Sequence, residues 1–341
     1  MLVFTSKVNS IVLQQINNSM KNLVLYLNLI LLIMISLPNS CISSPQVLPV
    51  KGTGDPIDKN FQVSDFHGID VSSGFDVILV QGNSEDLTIT AQENLFEHII
   101  VKVDQGILRI YTERGMMIMA TKPMKARISF KSIDNLQISG GGDVTAETPV
   151  NVLKLDVNVS GGGDLSSVIN TDELVCRLSG GGDADIDGNI KNYNLNVSGG
   201  GDVKSDLNTA VIDCSVSGGG DLTLRCKEKV NNAHISISGG GDNILELNVE
   251  KLKCSVSGGG NGTLKGQASD LEMEISGGGD VNAKDLLTET TSFNVSGGSD
   301  FQISASKELN GNISGGGDLY YSGNPEIVTV DAKGGSEVHR Q

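Results

Sequence analysis

Nine aspartates pose the first chemical question. Asp143, Asp164, Asp183, Asp202, Asp221, Asp242, Asp280 and Asp318 each close a Ser-Gly-Gly-Gly-Asp string, Asp300 closes a Ser-Gly-Gly-Ser-Asp variant, and Asn261 ends a tenth copy. Successive copies begin 18 to 21 residues apart. Carboxylates stacked at such a period are hard oxygen ligands suited to a divalent cation such as Ca²⁺. The string is similar to the G-G-x-G-x-D calcium nonapeptide, although that motif repeats roughly twice as often. The structural reading is that each carboxylate accepts hydrogen bonds from nearby glycine N–H groups or serine hydroxyls and closes a turn. Some such partner, a cation or a raised carboxyl pKa must offset repulsion of about 0.9 kcal/mol per neighbouring pair at strand spacing in water. Apart from Ca²⁺, no cofactor is expected.

The glycines speak for geometry. Of 43 in the chain, 29 lie in the ten corners. The first of each set is Gly140, Gly161, Gly180, Gly199, Gly218, Gly239, Gly258, Gly277, Gly297 or Gly315. A corner repeated on every coil needs positive φ and room for the coil stacked on it. No helical pattern and no Lys-Ser/Thr pair follows, so a phosphate-binding loop is excluded.

Cysteine offers little chemistry. Cys176, Cys214 and Cys254 each stand three residues before a corner serine, and Cys226 lies just after a corner. Neighbours in that column would be two coils apart, about 9–10 Å between Cα atoms, beyond the reach of a disulfide. They are expected as free, buried thiols, and with only His234 nearby a metal cluster is not expected.

The elements that must position these residues are short strands. The residue before each corner serine is aliphatic in all ten copies (Ile138, Val159, Leu178 and so on), while the residue two before is polar throughout. Such alternation is the signature of a strand with one buried face. A period near 19 does not accommodate long hairpins, and the leucine-rich-repeat frame is missing. The pattern predicts an all-β fold, a right-handed parallel β-helix (β-solenoid) with coils of about 19–21 residues, stacked some 4.8 Å apart into a rod on the order of 45–50 Å long.

The remaining chain divides around this array. Residues 1–40 carry Lys7 and Lys21 but no acidic residue, and Leu23 to Leu37 forms an apolar run. This is the form of a secretory signal, with Met20 an alternative start. Leu37-Pro38-Asn39-Ser40-Cys41 resembles a lipoprotein cleavage site, with Cys41 to be lipidated; ordinary secretion is the alternative. Residues 41–60 are expected to be a lipid-anchored tether, 61–133 irregular β rungs capping the N-terminal end, 134–322 the repeat array, and 323–341 a C-terminal cap. Within the N-terminal region, Ser73-Gly74-Phe75-Asp76 is a degenerate corner. Lys122, Lys125, Arg127 and Lys131 form a modest basic patch, read as a solvated strand face.

The leader, the stretch Gly68 to Gly82, the serial corners and the closing Gly323-Asn324-Pro325 followed by Gly-Gly-Ser together resemble the auto-transporter adhesin, head GIN domain family, common in Bacteroidetes. The resemblance covers roughly Phe61 to Val338. It implies a β-helical surface or periplasmic protein and brings no catalytic residues.

Charge and composition narrow the function. Without residues 1–40 the chain keeps 23 basic and 41 acidic side chains, a net −18, which repels nucleic acid. A uniform carboxylate ladder offers no privileged pair for glycoside hydrolysis, and nothing groups His with Ser, Cys or Asp as a nucleophilic set. Trp is absent and Tyr numbers five, so platforms for sugar stacking are scarce. The expected protein is a non-enzymatic outer-membrane lipoprotein of the envelope, periplasmic or surface-exposed, with an adhesin-like or scaffold role. It would meet the membrane through its anchor and a glycan or envelope protein through its faces. A glycan-binding module, drawing on Asn158, Asn196, Asn294 and Asn312, is the alternative; a polysaccharide-processing enzyme is the third.

Overall fold

The computed structural model describes residues 49–341. From Asn135 onward the chain is a β-solenoid of stacked parallel coils. The register is continuous: Leu136 pairs with Val157, Val157 with Cys176, Cys176 with Leu195, and the column continues through Cys214, Ile235, Cys254, Met273 and Phe293 to Gly311. Apart from the partly exposed Gly311, residues of this column and of the aliphatic one beside the serines point inward and are buried. The polar column between them faces out, as period-2 alternation requires.

After each corner the chain enters the second face of the coil, again inward at every other residue, as in Val203, Ser205 and Leu207. Strands such as Leu165–Gly180 and Leu222–Gly239 run through a bend, where the pairing with the next coil is interrupted and then resumes. The 21-residue coil that starts at Ser217 accommodates its extra residues as a register shift between Arg225 and Lys229. Tyr193 Oη and Ser205 Oγ form a buried hydroxyl pair 2.9 Å apart, which satisfies both in an apolar interior.

The N-terminal coils are built differently. Strands Gly68–Val71 and Ile107–Thr112 extend the parallel stack below Asn135–Gly140, and Phe75–Gln81 and Met124–Phe130 extend it below Val144–Ala146. Two antiparallel neighbours then close the end: Ile99–Asp104 on Ile107–Thr112, and Asp86–Gln92 on Met124–Phe130. Ser73-Gly74 takes the corner position beneath Gly140, and Asp143 N–H donates to Asp76 Oδ1 at 3.3 Å.

The tether expected over residues 41–60 is corrected within the described part. Val50–Lys51 pairs with Ile118–Met119, and Pro56–Phe61 pairs antiparallel with Asp86–Gln92. Proline suits this place because it opens an edge strand, where a missing N–H costs little. Thr88 and Thr90 donate across the pair to Asn60 and Asp58, and Lys59 Nζ sits 5.3 Å from the centre of the Phe96 ring.

At the other end, Ile327–Gly334 pairs in parallel with Glu308–Gly315, and Val338–Arg340 with Leu319–Ser322. The stretch expected to cap the array therefore has the form of one more coil. Gly334 keeps a positive φ of 87°, and Glu337 stands where the other coils carry aspartate.

Candidate functional site

The corner begins with a steric demand. Gly161 has φ +123°, and a Cβ there would lie 1.7 Å from the carbonyl oxygen of Gly140 on the coil before; Gly163 would meet Gly142 O at 2.0 Å. A side chain at the first or third position therefore runs into the coil before, because consecutive coils stack backbone on backbone. Ser299 is the single exception among the ten third positions, fully buried with Oγ 3.1 Å from Gly277 O. The middle glycines, such as Gly200, have open space around them.

This stacking sets the aspartates one above another and supplies their partner. The backbone N–H of Asp164 donates to Asp143 Oδ1 at 3.1 Å, Asp183 to Asp164 at 2.9 Å, Asp202 to Asp183 at 2.8 Å and Asp242 to Asp221 at 2.7 Å. Asp300 and Asp318 continue the chain of bonds, and Glu337 N–H ends it on Asp318. The donor is therefore the next aspartate's own amide rather than a glycine N–H or a serine hydroxyl. A charge-assisted bond of this kind offsets the repulsion between neighbouring carboxylates. Asn261 fits without charge: its Nδ2 donates to Asp242 Oδ1 at 2.9 Å and its Oδ1 accepts Asp280 N–H at 3.2 Å. Among the described residues, no group of three or more His, Cys, Asp or Glu side chains is placed to hold a metal ion.

A second ladder escaped the sequence reading. At the opposite bend Asn170 Nδ2 donates to Asn151 Oδ1, Asn189 Nδ2 to Asn170 Oδ1 and Asn208 Nδ2 to Asn189 Oδ1, each at 2.9 Å. Its signal was present, since these four asparagines are each 19 residues apart. The asparagines that the sequence did single out lie on the outward face. Asn158 and Asn196 bond to neighbours two residues away on their own strands, and Asn312 reaches Asn294 on the coil before.

Among the described residues the four cysteines are free, with Cys176, Cys214 and Cys254 buried in one inward column. Burial pushes all three thiols, and Cys226 with them, up to about 12. None is a thiolate nucleophile at neutral pH. Cys41 and the leader lie outside the described residues.

Outward charges pair across coils. Lys154 meets Glu173 at 3.1 Å, Arg177 meets Asp156 at 2.8 Å and Lys253 meets Glu272 at 2.7 Å. In the basic patch Arg127 bonds to Glu147, and Lys131 lies 3.6 Å from Glu85. After Asn196 the column two residues before the corner serine turns to short side chains, Ser215, Ser236 and Ser255. A shallow groove of about 370 Å³ runs there between two outward columns, lined by Ser236, Ser255 and Asn294 on one side and Ser257, Ser276 and Ser296 on the other.

A parallel solenoid with backbone-stacked glycine corners and a polar, grooved outer face defines the chain as a β-solenoid repeat protein. The chain belongs to the family described as "Putative auto-transporter adhesin, head GIN domain", whose profile matches residues 65–232 and 223–325. Among solved structures it is similar to a putative lipid binding protein from Parabacteroides distasonis, at 19% identity and a TM-score of 0.37, covering 86% of this chain and 100% of that one. A putative adhesin from Bacteroides fragilis matches at 18% identity and a TM-score of 0.32, with the same coverage. Another putative adhesin, from Parabacteroides merdae, matches at 19% identity and a TM-score of 0.37, covering 86% of this chain and 98% of that one. A comparison with curated proteins finds no match. Among the described residues no helix is long and apolar enough to cross a membrane.

Proposed function

We propose that the protein is a non-enzymatic, adhesin-like or scaffold solenoid of the bacterial envelope, held to the outer membrane by lipid on Cys41, which meets its partner through the outward face of the corner sheet. The observation that carries this reading is the division of labour among its polar groups. The ladder carboxylates and the ladder asparagines are spent on bonds between coils, which leaves the grooved face as the surface free for contact. Membership of an adhesin-described family supports it. The anchor is tested by labelling cells with a fatty-acid analogue: the label should enter the protein and vanish in Cys41→Ser. A label that survives the substitution, or never enters, would remove the lipoprotein reading.

A glycan-binding module is the second reading, favoured by the Ser and Asn columns that line the groove. Binding on a panel of oligosaccharides without turnover supports it. Turnover of any acidic polysaccharide, abolished by one point substitution, would replace both readings with an enzyme.

A further inference from the structure

The outward face of the corner sheet closes, at its N-terminal end, into a cavity of about 600 Å³, and we propose that this cavity binds a neutral sugar residue. The proposal rests on the glycan-binding reading and gives it a site.

The cavity is assembled by register. Asp70 on strand Gly68–Val71 pairs with Arg109 on Ile107–Thr112, and Lys102 on Ile99–Asp104 pairs with Arg109 from the other side. Arg109 Nη1 donates to Asp70 Oδ2 at 2.9 Å. This bond holds the guanidinium plane and leaves Nη2 to donate elsewhere. Tyr111 follows Ile110, the register partner of Val71, so it stands in the outward column that Ser72 and Ser139 occupy on the next coils. The column of short hydroxyls thus meets an aromatic ring at this end, and Tyr111 lines the cavity with Arg109 and Ser72.

A sugar ring has one face of C–H groups and a rim of hydroxyls. The half-buried Tyr111 ring supplies a flat apolar surface for the first. The Arg109–Asp70 pair places a donor beside an acceptor, as adjacent hydroxyls require, in a concave site whose lining is mostly polar. The lining carboxylates Asp70, Asp104 and Glu113 are balanced by Lys102, Arg109 and Arg114, so the site favours no charged ligand. Ser73 adds a mark of constraint. It is a non-glycine residue at φ +77°, held by its Oγ accepting Thr112 N–H at 3.2 Å, and strain of this kind persists where surrounding contacts over-determine it.

The test is an array of neutral, N-acetylated and uronic-acid oligosaccharides probed with the full chain, followed by calorimetric titration of the best-bound oligosaccharide. Tyr111→Ala should weaken binding about three- to tenfold, the range of a lost aromatic contact, and Tyr111→Phe should stay within about twofold. Arg109→Gln should weaken it by at least about tenfold, the cost of a hydrogen bond to a charged group. Thermal melts of all variants accompany the titrations, and Arg109→Gln decides the matter should Tyr111→Ala not fold. A bound oligosaccharide whose affinity is unchanged in both Tyr111→Ala and Arg109→Gln overturns this site while leaving the glycan-binding reading intact. Absence of binding by the unaltered chain across the array overturns both.

Discussion

The backbone N–H of Asp221 donates to Oδ1 of Asp202 at 2.8 Å, across 19 residues of chain and one step of the solenoid. The same residue type is acceptor on one coil and donor on the next. Asn261 Oδ1 takes the same bond from Asp280 N–H without a charge, so the oxygen acceptor is what all ten corners share.

Asp202→Ala removes that acceptor and leaves an amide without its partner. A loss of about 1 kcal/mol is expected, modest because the corner is exposed. Asp202→Asn should come within about 0.5 kcal/mol of the parent, since Asn261 already performs the role. Urea denaturation of the two variants checks the order; an Asn variant as weak as the Ala variant would mean the charge is what matters.

The glycines divide by geometry. In Gly199→Ala the new methyl would lie 1.9 Å from Gly180 O, whereas in Gly200→Ala it meets nothing within 4 Å. The first should cost about 2–4 kcal/mol and the second less than about 1. Comparable melting temperatures for the two variants would contradict the backbone stacking.

The buried thiols make stability fall in alkali. Their folded pKa of about 12 lies above the ordinary value of 9.0, so between those values the unfolded chain releases protons that the folded chain keeps. Their contribution is complete below pH 9 and declines as pH rises toward 12. Replacing Cys176, Cys214 and Cys254 with Val should flatten the decline in the melting temperature over this window. In the native protein at pH 8 these three should resist iodoacetamide until denaturant is added.

Calcium offers a direct check on the corner ladder. Because no three ligating side chains converge among the described residues, melting in EDTA and in millimolar Ca²⁺ should coincide. A rise of many degrees with Ca²⁺, lost when Asp183, Asp202 and Asp221 become Asn, would instead make the ladder a cation site.

Local alternation carries a long way in a chain of this kind. The inward column through Cys176, Cys214 and Cys254, the corner at Ser73-Gly74 and the parallel stacking were all legible, because side-chain period reports burial within a few residues and a repeat multiplies that report tenfold. The strand Pro56–Phe61 was not legible, since its own Pro56 and the preceding Pro49, Gly52 and Gly54 look like linker until Asp86–Gln92 is beside it.

By itself, then, the sequence determined which residues face in, where the chain turns and how often, since these follow from hydrophobicity and φ preference at single positions. Only the tertiary structure decided which groups answer one another between coils. The amide that satisfies each carboxylate, the Asn151-to-Asn208 ladder, and the meeting of Asp70 with Arg109 beside Tyr111 all depend on register. Register is set by the rise and length of every intervening coil, a sum over the whole path that no local pattern contains.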